Sequence, residues 1–426
     1  MFSMDAAFRR TRATRSAKNF QDTQIMNHSL SALLPHAPKN YYRLALMHFF
    51  FIMGILFSSW AIRIPDIKNA LSLSDAELGG ILFGAPVGQL LAIAPTAWFV
   101  GHIGSRRSIM LGMCAMPTAL VMLPVAPGRL WLFAALVFFG FSNNMLNISL
   151  NAQAVGVEFL YRRSIMSTFH GMWSVGAVIG GVIGAIVAPM GIPPLPHFGA
   201  MFLLSILILV LLRTAIMPRD VRSAAQKKKQ SSIRPDLYII LLGVIAFGSF
   251  ATEGALYDWS AVYFAQVVQV RESLVRVGYV ACLSAMVVGR LVADTLVNRY
   301  SVVPVLQVSG ASIAAGLTLA LLSPTLATAT TGFALTGFGM ASVVPLCFSL
   351  AGKSSQVSPQ AAISFVASIG YFGLLASPPV VGMLSEWLTL RWALSPMIVI
   401  GVAIVFLTAA LKRLQAKTVF RDENDS

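Results

Sequence analysis

Long apolar runs constrain this chain more than any other feature of its sequence. Twelve segments have the length of about 18–25 residues that crosses a bilayer as a helix. They cover approximately 42–62, 76–100, 108–126, 130–154, 166–190, 199–216, 236–257, 274–294, 303–323, 327–350, 360–385 and 393–412. Only 11% of the residues are charged, against roughly 25% in a soluble domain. The sequence therefore predicts an all-α membrane protein with twelve transmembrane helices.

The basic residues are distributed unevenly between the two sides of this predicted bundle. Six of the 31 Lys and Arg fall on the side opposite the termini, namely Arg63, Lys68, Arg129, Arg271, Arg276 and Arg391. Because cytoplasmic loops carry an excess of basic residues, this bias predicts that both termini are cytoplasmic in a plasma membrane, the inner membrane of a bacterium. The net charge of +15 is then explained by topology and contact with membrane lipid, so no nucleic-acid partner is expected.

A basic segment containing Lys227–Lys229 lies between the sixth and seventh spans and divides the chain in two. We expect a disordered cytoplasmic tail at 1–41, six-helix halves at 42–217 and 236–412, a linker at 218–235 and a second tail at 413–426. A shift of 197 positions places Gly140 on Gly337, Gly176 on Gly373 and Gly104 on Ser301. Such an internal repeat, in parallel six-helix halves with a site between them, is typical of secondary transporters.

Asparagines interrupt the fourth apolar run. Asn144, Asn147 and Asn151 are spaced i, i+3 and i+7 and therefore share one helical face. Membrane amides of this kind either bond neighbouring helices or line a polar cavity, and both interpretations remain open. Asn147 and Asn151 are the candidate substrate-binding residues of this face.

Four further residues are candidates for the same cavity. His170 changes charge near physiological pH, so it is a candidate for proton coupling as well as for substrate binding, and Trp173 follows it by one turn. Equally, His170 lies near the cytoplasmic end of its helix, where a hydrogen bond to a loop carbonyl would satisfy it. Glu253 lies inside the seventh span, where an ionisable residue is a functional-site hypothesis by default. The alternative is that it lies close enough to the outer surface to stay solvated, with Tyr257 at i+4 as its hydrogen-bond neighbour. Glu253 is therefore the main candidate for proton coupling, and Tyr371 in the eleventh span is the fourth candidate for substrate binding.

Charged residues near two helix ends have alternative interpretations. Arg63 and Asp66 follow the first span at i, i+3, and they either close an outer gate or anchor a loop helix, which we favour. Glu158 with Arg162 and Arg163 is more typical of an ion-pair network at the inner surface than of a binding site.

The loop after the second span resembles the signature of the major facilitator superfamily, Gly-x-x-x-Asp-Arg-x-Gly-Arg-Arg. Gly104 and Arg106 match its second Gly and last Arg, whereas Gly101 stands where the family has its Asp. A counterpart in the second half reads Gly289 to Asp294, followed by Arg299. The resemblance implies a cytoplasmic gate that involves Gly104, Arg106, Arg290, Asp294 and Arg299.

Four sequence segments resemble one particular branch of this superfamily. They are Trp60–Lys68, Asn151–Glu158, Phe169–Gly176 and Glu253–Ala261, and together they resemble the YbjJ-like bacterial branch of that superfamily. This branch-level resemblance implies a gradient-driven carrier without a well-established substrate class.

The favoured function is secondary active transport of a small polar solute by alternating access, coupled to H+. The alternatives are a proton-antiport exporter of amphipathic compounds or drugs and, from another class, a non-transporting membrane sensor. No phosphate-binding Gly-x-x-x-x-Gly-Lys-Ser/Thr loop or His-Glu-x-x-His metal motif occurs. The sequence therefore predicts neither an enzyme nor a metal site, calls for no cofactor, and does not require an oligomer.

Overall fold

The computed structural model describes residues 38–161, 165–218, 236–352 and 359–424, and nearly all of them are helical. The first half contains α1 (Lys39–Ala61), α2 (Ile64–Ala70), α3 (Asp75–Leu82), α4 (Gly84–Ile103), α5 (Ser105–Met122), α6 (Arg129–Tyr161), α7 (Met166–Val187) and α8 (Pro194–Leu212). The second half contains α9 (Leu237–Tyr263), α10 (Val277–Tyr300), α11 (Val302–Leu322), α12 (Leu326–Ala351), α13 (Pro359–Leu388), α14 (Leu390–Ala393) and α15 (Ser395–Asn424). Most of the predicted linker and the N-terminal tail lie outside these ranges.

Each predicted span coincides with a helix. Within the described ranges, eleven helical segments are long and apolar enough to cross a membrane. The remaining predicted span, 108–126, corresponds to α5, which begins with Arg106 and Arg107 and is therefore less apolar over its length. Because α5 packs against α6 and α8, it belongs to the same bundle.

The same pattern of helix packing occurs in both halves. In the first half α1 packs on α7, α4 on α6 and α5 on α8. In the second half the corresponding pairs are α9 with α13, α10 with α12 and α11 with α15. The two halves are therefore pseudo-symmetric six-helix bundles, as the sequence predicts.

Glycines at equivalent positions explain why these pairs pack so closely. A methyl group built on Gly140 lies 1.9 Å from the carbonyl oxygen of Ala85, and one built on Gly337 lies 2.2 Å from that of Cys282. These partners are separated by the same 197 positions as the two glycines. Only a residue without a Cβ allows the backbones to approach so closely, so the repeat in the sequence is a repeat of helix crossings.

The turns after the second and eighth spans are equivalent too. Gly104 connects α4 to α5 with φ +84°, and Ser301 connects α10 to α11 with φ +68°. Glycine adopts this left-handed conformation at no steric cost, whereas Ser301 is strained in it. The shared turn geometry places both residues at corresponding ends of the two halves.

The buried side-chain amide of Gln153 binds the backbone at the end of the first half. The Gln153 side chain donates from Nε2 to Ser105 Oγ at 2.7 Å and to the Met217 carbonyl at 3.1 Å. Its Oε1 accepts the Met217 N–H at 3.1 Å. Gln153 is 1% exposed, so this bonding holds the segment before the linker against α5 and α6.

The glycine crossings make a testable stability prediction. We expect Gly140→Ala to lower the apparent melting temperature of the purified protein, because overpacking of this kind costs about 1–3 kcal/mol. Gly101→Ala is the matched control, since a methyl group there meets nothing within 4 Å. Melting of the two variants in the same detergent checks this, and a Gly140→Ala protein as stable as the control would contradict it.

Candidate functional site

The two halves meet through a hydrogen bond inside the bundle. Arg290 of α10 donates from Nη1 to Ser174 Oγ of α7 at 2.6 Å. Ser174 is 5% exposed, and Arg290 is half-buried. Both lie within candidate membrane spans, so a cationic side chain of one half is held by a neutral hydroxyl of the other.

The carboxylate of this region lies on α9. Tyr257 donates its hydroxyl proton to Glu253 Oε1 at 2.7 Å, as the i, i+4 spacing predicts. The Tyr257 ring contacts Phe57 of α1 with ring centroids 5.7 Å apart. Tyr257 is also close enough to Arg290 for that charge to act on it. One tyrosine at the interface between the halves is therefore bonded to a carboxylate and lies within the electrostatic range of a guanidinium.

Aromatic residues continue this surface along α7. Trp173 packs on Phe57 at 5.8 Å between centroids, and His170 packs on Phe50 at 5.4 Å. His170 is exposed and lies within the electrostatic range of Arg290. The structure therefore brings His170 and Trp173 to the same region as Arg290.

Tyr371 approaches from α13. Its ring is stacked on Phe250 of α9 at 5.3 Å, and Glu253 is near enough for its charge to act on Tyr371. The side chain of Tyr371 is 47% exposed. Five helices, α1, α7, α9, α10 and α13, thus bring residues to one region between the halves, and four of the six predicted substrate-binding residues lie there.

The asparagines of α6 divide into two kinds. Asn144 donates to the Gln89 carbonyl of α4 at 2.6 Å, which is a bond between helices. Asn151 donates to both the carbonyl oxygen and Oδ1 of Asn147 at 2.9 Å. Asn147 and Asn151 therefore bond to each other within α6, and their contact with a solute remains a prediction.

The predicted gate residues lie at different depths. Arg106 donates to the Arg213 carbonyl at 3.2 Å, a contact within the first half, and Arg299 lies over the Tyr300 ring at 5.3 Å. Gly104 forms the turn described above, and the Asp294 side chain lies outside the described part of the chain. Arg290 is deeper in the bundle, where it touches Ser174 and not the helix ends. Their joint action as a gate remains a prediction.

Ion pairs between buried side chains close the end of the bundle opposite Gly104 and Ser301. Arg276, at the start of α10, donates to Asp66 Oδ2 at 2.8 Å and to the Ile62 carbonyl at 3.2 Å. Asp66 also pairs with Arg63 at 3.5 Å. Both arginines are 1% exposed. Arg63 and Asp66 therefore join the halves through Arg276, and the sequence contains no signal for this pairing across 210 positions.

Arg63 is additionally held by its own half. It donates from Nε to His197 Nδ1 at 3.3 Å and from Nη2 to the Ile192 carbonyl at 2.9 Å. These contacts make it a loop anchor, as the sequence suggests, as well as part of the closure. The network of Arg63, Asp66 and Arg276 is called the ionic latch below.

A second contact closes the same end between α3 and α13. Asp75 accepts from Lys68 of its own half and from Ser385 of the other, and Glu386 accepts the Ala76 N–H at 3.1 Å. A methyl group on Gly79 would lie 2.5 Å from the Pro378 carbonyl oxygen. Away from this end, α4 and α13 barely touch. The interface between the halves is therefore closed at the latch end, where α13 packs on α3 and hardly at all on α4.

Sequence comparison with known families agrees with this architecture. Residues 44–360 match the family model described as Major Facilitator Superfamily. The membrane protein MosC of Rhizobium meliloti is 32% identical over 358 residues, which is 83% of this chain and 86% of that protein. An uncharacterized MFS-type transporter of Yersinia pestis is 31% identical over 367 residues, covering 85% of this chain and 92% of that one.

Solved structures with a similar fold have much lower sequence identity. The nucleoside transporter NupG aligns with a TM-score of 0.70 at 12% identity, covering 87% of this chain and 98% of that one. A bacterial homologue of the human lysosomal transporter Spinster, in an inward-facing and unoccupied conformation, aligns with a TM-score of 0.68 at 15% identity. That alignment covers 89% of this chain and 98% of the homologue. At these identities the likeness concerns the fold alone.

The close contact at Gly79 predicts how the closed end responds to mutation. Gly79→Ala adds a methyl group against α13, and an overlap that costs about 1–3 kcal/mol shifts a two-state equilibrium about 5–150-fold. Gly80→Ala is the matched control, because a methyl group there meets nothing within 4 Å. We therefore expect Gly79→Ala alone to open this end.

Cross-linking measures that opening. In a protein whose three cysteines are replaced, Ala76→Cys and Glu386→Cys place thiols on facing segments, which dibromobimane bridges when the end is closed. Gly79→Ala should lower the yield and Gly80→Ala should leave it unchanged. Equal yields in the two variants would show that this contact does not control closure.

Proposed function

This chain belongs to the major facilitator superfamily and is a membrane transporter rather than an enzyme; we propose that it is a secondary carrier of a small polar solute driven by protons. The observation that carries the proposal is the interface between the pseudo-symmetric halves, where Glu253, Arg290 and aromatic residues come together and which the ionic latch closes at one end. We infer that these residues line a central cavity. A site at the interface of two repeats, with access from one side at a time, is the geometry of alternating access.

The orientation follows from the charge bias of the loops. With both termini in the cytoplasm, the latch end faces outward and the cavity faces the cytoplasm. The described conformation is then the inward-facing state of the cycle. Transport requires the halves to rock until the latch separates and the opposite ends of α4, α7, α10 and α13 come together, with Gly104, Arg106, Asp294 and Arg299 at the cytoplasmic gate.

Separation of the latch exposes buried charge to water. Arg276 loses Asp66 and the Ile62 carbonyl when the halves part, and a buried guanidinium without partners is strongly unfavourable. Water entering from outside provides the replacement hydrogen bonds. The latch therefore favours two states of the outer end, one fully closed and one in which its charged residues are fully hydrated. This is the two-state behaviour that alternating access requires.

Glu253 is the proton carrier of the proposed cycle. It is half-buried, lies at the interface between the halves, and has a single described hydrogen-bond partner, Tyr257, whose hydroxyl is neutral. Protonation removes the charge that would oppose rocking through a closed intermediate. His170, exposed on α7, is positioned to exchange a proton with the cytoplasmic solution.

The proposed orientation is tested with fusion reporters. Alkaline phosphatase is active only outside the cytoplasm, so we expect activity when it is inserted at Gly128, in the turn between α5 and α6. A fusion after Ser426 should be inactive, while green fluorescent protein fused there should fluoresce. The reverse pattern would invert the orientation and make the latch cytoplasmic.

The coupling role of Glu253 is tested in proteoliposomes with an imposed pH gradient. A defined mixture of sugars, amino acids and hydroxy acids is supplied, and trapped solutes are measured by mass spectrometry. We expect the native protein to accumulate a solute above its external concentration and Glu253→Gln to abolish that accumulation, because the amide cannot bind the coupling proton. Tyr257→Phe is the control, since it removes the hydrogen bond and keeps the carboxylate. Undiminished accumulation by Glu253→Gln would remove Glu253 from this role.

A further inference from the structure

We propose that Arg290 is the anion-binding residue of the cavity and that the transported solute carries a carboxylate. The inference rests on the proposed function, because it names the substrate class of the same cavity. It starts from the hydrogen-bond partners of Arg290. A guanidinium has five N–H donors and matches a carboxylate with two parallel hydrogen bonds.

The described contacts leave most of the N–H donors of Arg290 without a partner. Arg290 donates one hydrogen bond, to the neutral Ser174 hydroxyl. The ion pairs between described side chains are formed by Arg63, Lys68, Arg129 and Arg276 and do not include Arg290. This contrasts with Arg276 on the same helix, which has two carboxylate partners. An arginine in a membrane span normally has an anionic partner or faces a water-filled cavity.

The carboxylate near Arg290 belongs to Glu253, and its hydrogen bond is with another residue. Glu253 accepts from Tyr257 and forms no ion pair with Arg290 among the described contacts. Tyr257 lies within the field of both charges. The cavity therefore presents two opposite charges, each of which has a neutral hydrogen-bond partner.

This charge arrangement favours a monoanion. One guanidinium attracts a carboxylate, whereas the additional negative charge of a phosphate monoester meets no second arginine or lysine among the described residues of this region and is repelled by Glu253 when that residue is ionised. The proton that Glu253 carries also balances the charge of an incoming monoanion. A carboxylate moving with a proton therefore leaves the net charge of the cavity unchanged.

The aromatic residues determine where the rest of the solute lies. Trp173 and Tyr257 both pack on Phe57, and Trp173 adjoins Ser174, which holds Arg290. A carboxylate on Arg290 therefore places the attached carbon skeleton beside this aromatic surface. Such a surface accepts a ring or the apolar face of a hydroxylated chain.

The test compares acids with their own amides. Proteoliposomes with an imposed pH gradient receive gluconate with gluconamide, quinate with quinamide, hippurate with hippuramide, and glycerate with glycerol 1-phosphate. Protein-free liposomes correct for passive entry. We expect the native protein to accumulate at least one carboxylate at least tenfold over its amide, and glycerate, where it is taken up, over the phosphate ester.

Three variants separate recognition from structural support. Arg290→Gln should reduce the preference for the acid at least tenfold, since its neutral side chain cannot form an ion pair. Arg290→Lys should keep the preference with weaker uptake, because it retains the charge without the planar pair of donors. Ser174→Ala should retain the preference, because the guanidinium that distinguishes an acid from its amide is still present, whereas uptake should fall with the loss of the hydroxyl that holds it.

The remaining outcomes contradict either the role of Arg290 or the proposed carrier function. Accumulation of amides or of the phosphate ester in preference to acids would refute the role of Arg290 and leave the carrier function intact. An unchanged acid preference in Arg290→Gln, or a loss of preference in Ser174→Ala equal to that in Arg290→Gln, would do the same. If the native protein moves neither these compounds nor those of the broader mixture, the proposed carrier function itself fails.

Discussion

The ionic latch is the interaction on which the described conformation depends. Arg63 and Arg276 are almost completely buried and share Asp66, with backbone carbonyls taking up further donors. Removing one member of such a network leaves a buried charge without compensation, which costs about 3–5 kcal/mol. Because Arg276 belongs to one half and Asp66 to the other, this electrostatic requirement links the stability of the closed end to the relative position of the halves.

Small residues allow close backbone contact both within each half and between the two halves at the latch end. Glycine crossings, such as Gly140 of α6 against α4 and Gly337 of α12 against α10, hold each half together at backbone contact. At the latch end the contact of Gly79 with α13 is of the same kind but crosses between the halves. Close packing is strong over a short range and vanishes once the surfaces separate. In the proposed cycle, each half therefore moves as a rigid unit while the contact between the halves is made and broken.

The cavity follows a different principle from the latch. At the latch, charges are paired with charges; in the cavity, Arg290 and Glu253 are bonded to neutral hydroxyls. A paired charge contributes to holding a conformation, whereas a charge with a neutral partner is available to a solute or a proton. The distribution of partners thus distinguishes the residues that maintain the conformation from those proposed to take part in transport.

The sequence by itself determined the features that depend on local periodicity or on repetition. These include the helical spans, the pseudo-symmetric halves and the Glu253–Tyr257 bond, because residues four apart on a helix lie side by side whatever the rest of the chain does. Only the tertiary structure decided which distant residues meet: Arg276 with Asp66 across 210 positions, and Arg290 with Ser174 across 116. Those pairings depend on how each helix is rotated and tilted against its neighbours, and an apolar run specifies its length in the membrane without specifying that rotation.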